Sequence, residues 1–103
     1  MTQQEADRTL AECRQRIDAI DLELLRLLNQ RTSVVEEIVR VKNALEMPIF
    51  EPRREDAVFR NVTSHNAGPL TADALQRIFA RIMDEMRSLQ YIRRQQAQQS
   101  KPE

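Results

Sequence analysis

Arg14-Gln15-Arg16-Ile17-Asp18-Ala19-Ile20-Asp21, followed by Leu24-Leu25-Arg26-Leu27-Leu28-Asn29-Gln30-Arg31, is the stretch on which the fold turns. Its apolar residues recur at helical spacing, and the pattern continues through Val34, Val35, Ile38, Val41 and Leu45. Neither glycine nor proline interrupts the chain from Thr2 to Met47. Thr2 and Glu5 have the spacing of a capping box. The expectation is one helix of about 40 residues, about 60 Å long at the α-helical rise. A compact domain of this size has a radius of gyration of about 13 Å, so one chain cannot bury the whole stripe. The expected solution is a dimer in which the long helices pack together.

Outward from this stretch, Pro48 and Pro52 end the helix, with Pro48-Ile49-Phe50-Glu51 as an extended link. Pro52 suits the first turn of a second helix reaching about Ser64, with Val58 and Val62 on one face. His65-Asn66-Ala67-Gly68-Pro69 reads as a loop. Thr71 caps a third helix, with Leu70 and Leu75 placed for a hydrophobic staple. Its expected inner stripe is Leu75, Ile78, Phe79, Ile82, Met83, Met86 and Leu89. The fold class is all-α: three helices, the first very long, in an intertwined homodimer. One domain is expected, with a core over about 5–94 and a polar, Gln-rich, frayed tail over 95–103.

Composition narrows the function. Lys+Arg and Asp+Glu are 16 each among 103 residues, which argues against a nucleic-acid-coating protein. One cysteine, one histidine and one glycine (Cys13, His65 and Gly68) leave no basis for a disulfide, a His- or Cys-based metal site or a Gly-rich phosphate loop. No metal and no cofactor are expected. Neither a signal peptide nor an apolar run of membrane length is visible, so the expected location is the cytoplasm.

The informative residues are polar groups within or beside the apolar stripe: Arg14, Arg31, Lys42 and, on the third helix, Gln90. Any one of them alone reads most simply as a side chain that snorkels to water or pairs within the bundle. Arg31 and Lys42, separated by three turns, face the same way about 16 Å apart and could grip a small anion between them. Arg14 and Arg31 lie about 25 Å apart along one helix and cannot share a small ligand. In an antiparallel dimer, Arg14 of one chain could meet Arg31 and Lys42 of the other, giving two equivalent sites built from both chains. Glu51-Pro52-Arg53-Arg54-Glu55 adds further charge after the link. Acidic groups there suit the helix dipole, whereas Arg54 does not.

In series, the Arg14 to Asp21 stretch, Leu24 to Arg31, Lys42, Glu51 to Glu55 and Gln90 resemble the all-helical chorismate mutases over about residues 10–92. The resemblance implies conversion of chorismate to prephenate in an intertwined helical dimer. It implies that Arg14, from the partner chain, and Arg31 each bind a substrate carboxylate, with Arg54 supporting the same region. Lys42 and Gln90 would hydrogen-bond the ether oxygen of the breaking bond. Glu55, with Glu51 beside it, would accept from the ring hydroxyl, and Ile38 and Met83 would form apolar walls. Two positions depart from some relatives: Glu51 replaces an Asp, and Met86 stands where a small hydroxyl residue sits. Cys13 and His65 carry no role in this reading. Two alternatives stand beside the mutase: an isochorismate pyruvate lyase on the same scaffold, and a non-catalytic helical dimerisation module. A partner enzyme of aromatic biosynthesis, bound non-covalently, is a further expectation. No nucleic-acid or membrane partner is expected.

Overall fold

The computed structural model describes residues 1–100. It contains three helices in the order α1 (Gln3–Ala44), α2 (Pro52–His65) and α3 (Ala72–Gln99). Among the described residues there is no strand, and no helix is long and apolar enough to cross a membrane. The chain divides into two compact units, Met1–Val34 and the part from Val35 onward.

The first unit is helical from Gln3. The capping box forms as its residue types dictate: Glu5 N–H donates to Thr2 Oγ1 at 3.1 Å, and Thr2 N–H donates to a Glu5 carboxylate oxygen at 3.3 Å. Arg26 forks onto Glu23 one turn earlier, a local pair on an exposed face. The apolar side chains of this unit are exposed: Ile17 at 54%, Ile20 at 58%, Leu24 at 52% and Leu27 at 46%.

The second unit carries the core: Val35, Val39, Ile49, Leu75 and Met83. On α1 the inward face is Val35, Val39 and Lys42, at i, i+4 and i+7. The sequence expectation chose Val34, Ile38 and Val41 with Val35, yet these three are exposed and Val39 is the buried residue. Both sets repeat at helical spacing about 100° apart, and periodicity alone does not say which one meets α3. The exposed apolar residues, with the half-buried Arg31 among them, have a stricter spacing. Ile17, Ile20, Leu24, Leu27, Arg31, Val34, Ile38, Val41 and Leu45 alternate by three and four residues, the heptad spacing of a helix-on-helix seam.

α1 ends at Ala44; two residues on, Glu46 has a φ of 51°, in the left-handed region, and Met47 N–H donates back to Lys42 O at 2.8 Å. This is a helix-terminating turn normally given to glycine. Pro52 opens α2 in its first turn. Asn66 braces the next loop, donating through Nδ2 to Leu70 O at 2.8 Å and accepting from Gly68 N–H at 3.3 Å. Thr71 caps α3, its Oγ1 accepting from Ala74 N–H at 3.1 Å. Leu75 is buried, but Leu70 stays 43% exposed and Ile78, expected inside, is 49% exposed. Val58 and Val62 of α2 are half-buried. α3 continues to Gln99, five residues into the segment read as a polar tail, and residues 101–103 of that segment lie outside the described residues.

The left-handed Glu46 predicts that Glu46→Gly stabilises the protein by about 0.5–1 kcal/mol, the relief of a Cβ clash less the entropy cost of glycine. Urea denaturation checks this, and a loss of stability would contradict it.

Candidate active site

A buried ammonium organises the second unit. Lys42 is 6% exposed, at the last turn of α1. A lysine offers three donors and no acceptor, and burial is tolerable only when they are engaged. Its Nζ donates to Ile49 O at 2.9 Å and to Gln90 Oε1 at 2.9 Å, and it pairs with Glu51 Oε1 at 2.7 Å. The three acceptors come from the link, from α3 and from the residue preceding α2. Among the described residues, no buried side-chain polar atom is left without a partner.

The local structure follows from these demands. Ile49 buries its side chain and turns its carbonyl to the ammonium. Glu51 occupies the N-cap position of α2 but makes no capping bond with its side chain, because the carboxylate reaches Lys42 instead. Gln90 must present its carbonyl oxygen to Lys42, since the ammonium can only donate. That leaves the Gln90 amide N–H groups facing elsewhere as donors.

One helical turn along α2 from Glu51 lies Glu55, whose carboxylate is held by Arg87 of α3. Arg87 Nη2 donates to Oε1 at 2.6 Å and Nε to Oε2 at 3.0 Å. Arg87 also donates to Asp84 at 3.3 Å and sits over the Phe50 ring, 5.0 Å from its centroid. Glu55 holds the Arg87 guanidinium above the ordinary arginine range, chiefly through this hydrogen bond. A raised cation pKa contributes stability that is complete below the unfolded-state value and is lost only as pH climbs through the folded-state value. For an arginine both lie above the working range, so this guanidinium stays charged from mildly acidic to mildly basic pH. Farther along α3, Arg94 donates to Asn43 Oδ1 at 2.9 Å and to Met47 O at 2.7 Å, and Arg93 pairs with Glu36 at 2.8 Å.

The structure therefore brings Lys42, Glu51 and Gln90 into direct contact, with Glu55 one turn away and Met83 buried on the same face of α3. Of the other expected site residues, Ile38 is 43% exposed and Arg54 is exposed in the first turn of α2. Arg14 and Arg31 belong to the first unit, exposed and half-buried respectively. Met86 is half-buried, as is Cys13, while His65 is exposed at the end of α2. Sequence reasoning missed Arg87, Arg94 and the Ile49 carbonyl. A signal for the two arginines was available: Met83, Arg87, Gln90 and Arg94 follow at i, i+4, i+7 and i+11 on one face.

The family model for chorismate mutase type II matches residues 13–91. The chain belongs to that family. A bifunctional chorismate mutase/prephenate dehydratase of Neisseria gonorrhoeae (strain ATCC 700825 / FA 1090) is 38% identical over 82 residues, covering 80% of this chain and 22% of the relative. A chorismate mutase of Methanocaldococcus jannaschii is 38% identical over 53 residues, 52% of this chain and 54% of the relative. Among solved structures, form II of the chorismate mutase from Thermus thermophilus superposes with a TM-score of 0.78 at 29% identity, covering 81% of this chain and 94% of that one. The chain thus spans about a fifth of the length of the bifunctional relative.

Breaking a buried ion pair usually costs about 3–5 kcal/mol, because the surviving charge is stranded away from water. Here the survivor would be Glu51, whose side chain is 51% exposed and can return to solvent. Lys42→Met is therefore expected to fold but to lose about 1–2 kcal/mol, because Glu51 returns to solvent while the Ile49 carbonyl is left without its donor. Denaturant titration checks this, and a loss of about 3 kcal/mol or more would make Lys42 a structural residue.

Proposed function

We propose that this chain is a chorismate mutase, carrying chorismate to prephenate by an intramolecular rearrangement of the bound dianion. The observation that carries the reading is the Lys42–Gln90 hydrogen bond of 2.9 Å in a chain of this family. The rearrangement is pericyclic and needs no nucleophile and no proton transfer. It needs a compact, chair-like conformer and donors where negative charge develops on the ether oxygen as the C–O bond breaks.

Lys42 and Gln90 suit the second need. Two of the three Lys42 donors go to the Ile49 carbonyl and to Gln90, and these acceptors hold the ammonium in place. The third faces Glu51, whose half-exposed side chain can move away when the substrate arrives. Gln90, with its carbonyl pinned by Lys42, has its amide N–H groups available for the ether oxygen. Donors oriented before the reaction avoid reorganisation in the transition state, and one such donor is typically worth about 10²- to 10³-fold in rate. Arg14 from the partner chain and Arg31 would each fork onto a substrate carboxylate, with Arg54 supporting the same region. Planar guanidinium pairs fix a dianion in one conformer, which is an orientation effect. Glu55 would accept from the ring hydroxyl with Glu51 beside it, and Ile38 and Met83 would wall the ring.

A shared site requires a dimer. The exposed heptad spacing along α1, with Arg31 at one of its positions, supports pairing of two copies, and antiparallel pairing would bring Arg14 of one chain to Arg31 and Lys42 of the other. The name of the Neisseria relative joins a mutase to an enzyme acting on prephenate. That supports a partner enzyme of aromatic biosynthesis which receives the product.

Purified protein mixed with chorismate, without added metal or cofactor, should yield prephenate. Activity should be nearly flat from mildly acidic to mildly basic pH, because Gln90 is a neutral amide that does not titrate. A steep loss just below neutrality would contradict this mechanism. Release of pyruvate and salicylate from isochorismate, with chorismate untouched, would make the chain a lyase instead. Arg14→Ala and Arg31→Ala should each be nearly inactive alone and regain activity when mixed, because a mixed dimer restores one intact site. Failure to recover after subunit exchange would sink the shared site.

A further inference from the structure

Glu55 differs from the other acidic residue of the site in having a rigid partner of its own. Arg87 takes both of its carboxylate oxygens, at 2.6 and 3.0 Å, through two different nitrogens. This two-point fork prevents rotation of the carboxylate about its last bond, which a single lysine contact would allow. The guanidinium is itself held from two further sides, by the Phe50 ring at 5.0 Å and by Asp84 at 3.3 Å. The pair is half-buried, with side-chain exposures of 28% and 23%. An ionised carboxylate offers about four acceptor positions, and the fork uses two of them. Two remain, in a direction set by Arg87. On α3, Arg87 lies one turn before Gln90 and on the same face. On α2, Glu55 lies one turn after Glu51, the partner of Lys42. The fork therefore adjoins the Lys42–Gln90 pair on both elements.

Resting on the mutase reading, we propose that Arg87 is a positioning residue that locks Glu55 so that its remaining acceptor positions meet the substrate's ring hydroxyl. Arg87 thereby sets the preference of the site for a substrate hydroxylated at that ring position. Arg87 touches no reacting atom. It acts through Glu55, and its effect exists only when the hydroxyl is there to be bound.

The test compares chorismate with an analogue whose ring hydroxyl is replaced by hydrogen, on the full chain and on Arg87→Ala, Arg87→Lys, Glu55→Gln and the Arg87→Ala/Glu55→Gln double variant. Arg87→Ala should lose about 10- to 100-fold in kcat/KM on chorismate, the scale of a displaced orienting group. Its kcat/KM on the deoxy analogue should stay within about twofold of the parent. In the Glu55→Gln background the same substitution should add little further loss on chorismate, since the two residues act as a unit. Arg87→Lys keeps the charge without the fork, and should lose activity on chorismate alone. If Arg87→Ala does not fold, as judged by circular dichroism, Arg87→Lys decides by the same two-substrate comparison. Equal losses on both substrates, or no loss on chorismate, would overturn the proposal while leaving the mutase reading intact. A parent chain that fails to convert chorismate would overturn both.

Discussion

An ammonium ion removed from water dictates much of the second unit. Lys42 has three protons to place, and each acceptor it recruits shapes a different segment. The Ile49 carbonyl fixes the course of the link between the two prolines. Glu51 gives up capping its own helix to reach the ammonium. Gln90 is oriented by the only kind of contact a lysine can make. Buried cations are poor sources of stability, since desolvation offsets much of the Coulomb attraction. Under the proposed mechanism, the half-exposed Glu51 carboxylate is the partner that gives way at Lys42 when the substrate arrives.

The third helix serves as the rigid rail. Met83, Arg87, Gln90 and Arg94 share one face, and the last three each reach across to another element: to Glu55, to Lys42, and to Asn43 with the Met47 carbonyl. Two of these crossings bear on the proposed chemistry and the third ties down the turn that follows Lys42. Functional side chains mounted on helices and braced by ion pairs hold their geometry more closely than side chains on loops. That matters for a rearrangement whose acceleration rests on orientation and on donors set in advance.

The first helix has two apolar faces with different fates. In the second unit, Val35 and Val39 are covered, while Val34, Ile38 and Val41 remain exposed. The exposed set continues the heptad spacing that begins near Ile17, and Arg31 falls at one of its positions. A polar residue in such a seam is costly unless it has a purpose, such as specifying pairing or meeting a ligand. Under the proposed dimer both purposes coincide, because the seam that joins the chains also brings the arginines to the anion.

The sequence alone determined the three helices, their caps and their proline boundaries, because those features depend on neighbours a few residues away: Thr2 with Glu5, Thr71 with Ala74, Pro52 in a first turn. It also carried the family: the Arg14 to Asp21 stretch, Leu24 to Arg31, Lys42, Glu51 to Glu55 and Gln90 in series resemble the all-helical chorismate mutases, whose family model matches residues 13–91. Which of two apolar faces of α1 is buried was not legible, because both repeat with the same helical period. Nor was the fork between Arg87 and Glu55, or the Ile49 carbonyl as a lysine acceptor. Those contacts join residues far apart in the chain, and only the packing of α2 and α3 with the end of α1 decides which polar groups meet once water has been excluded.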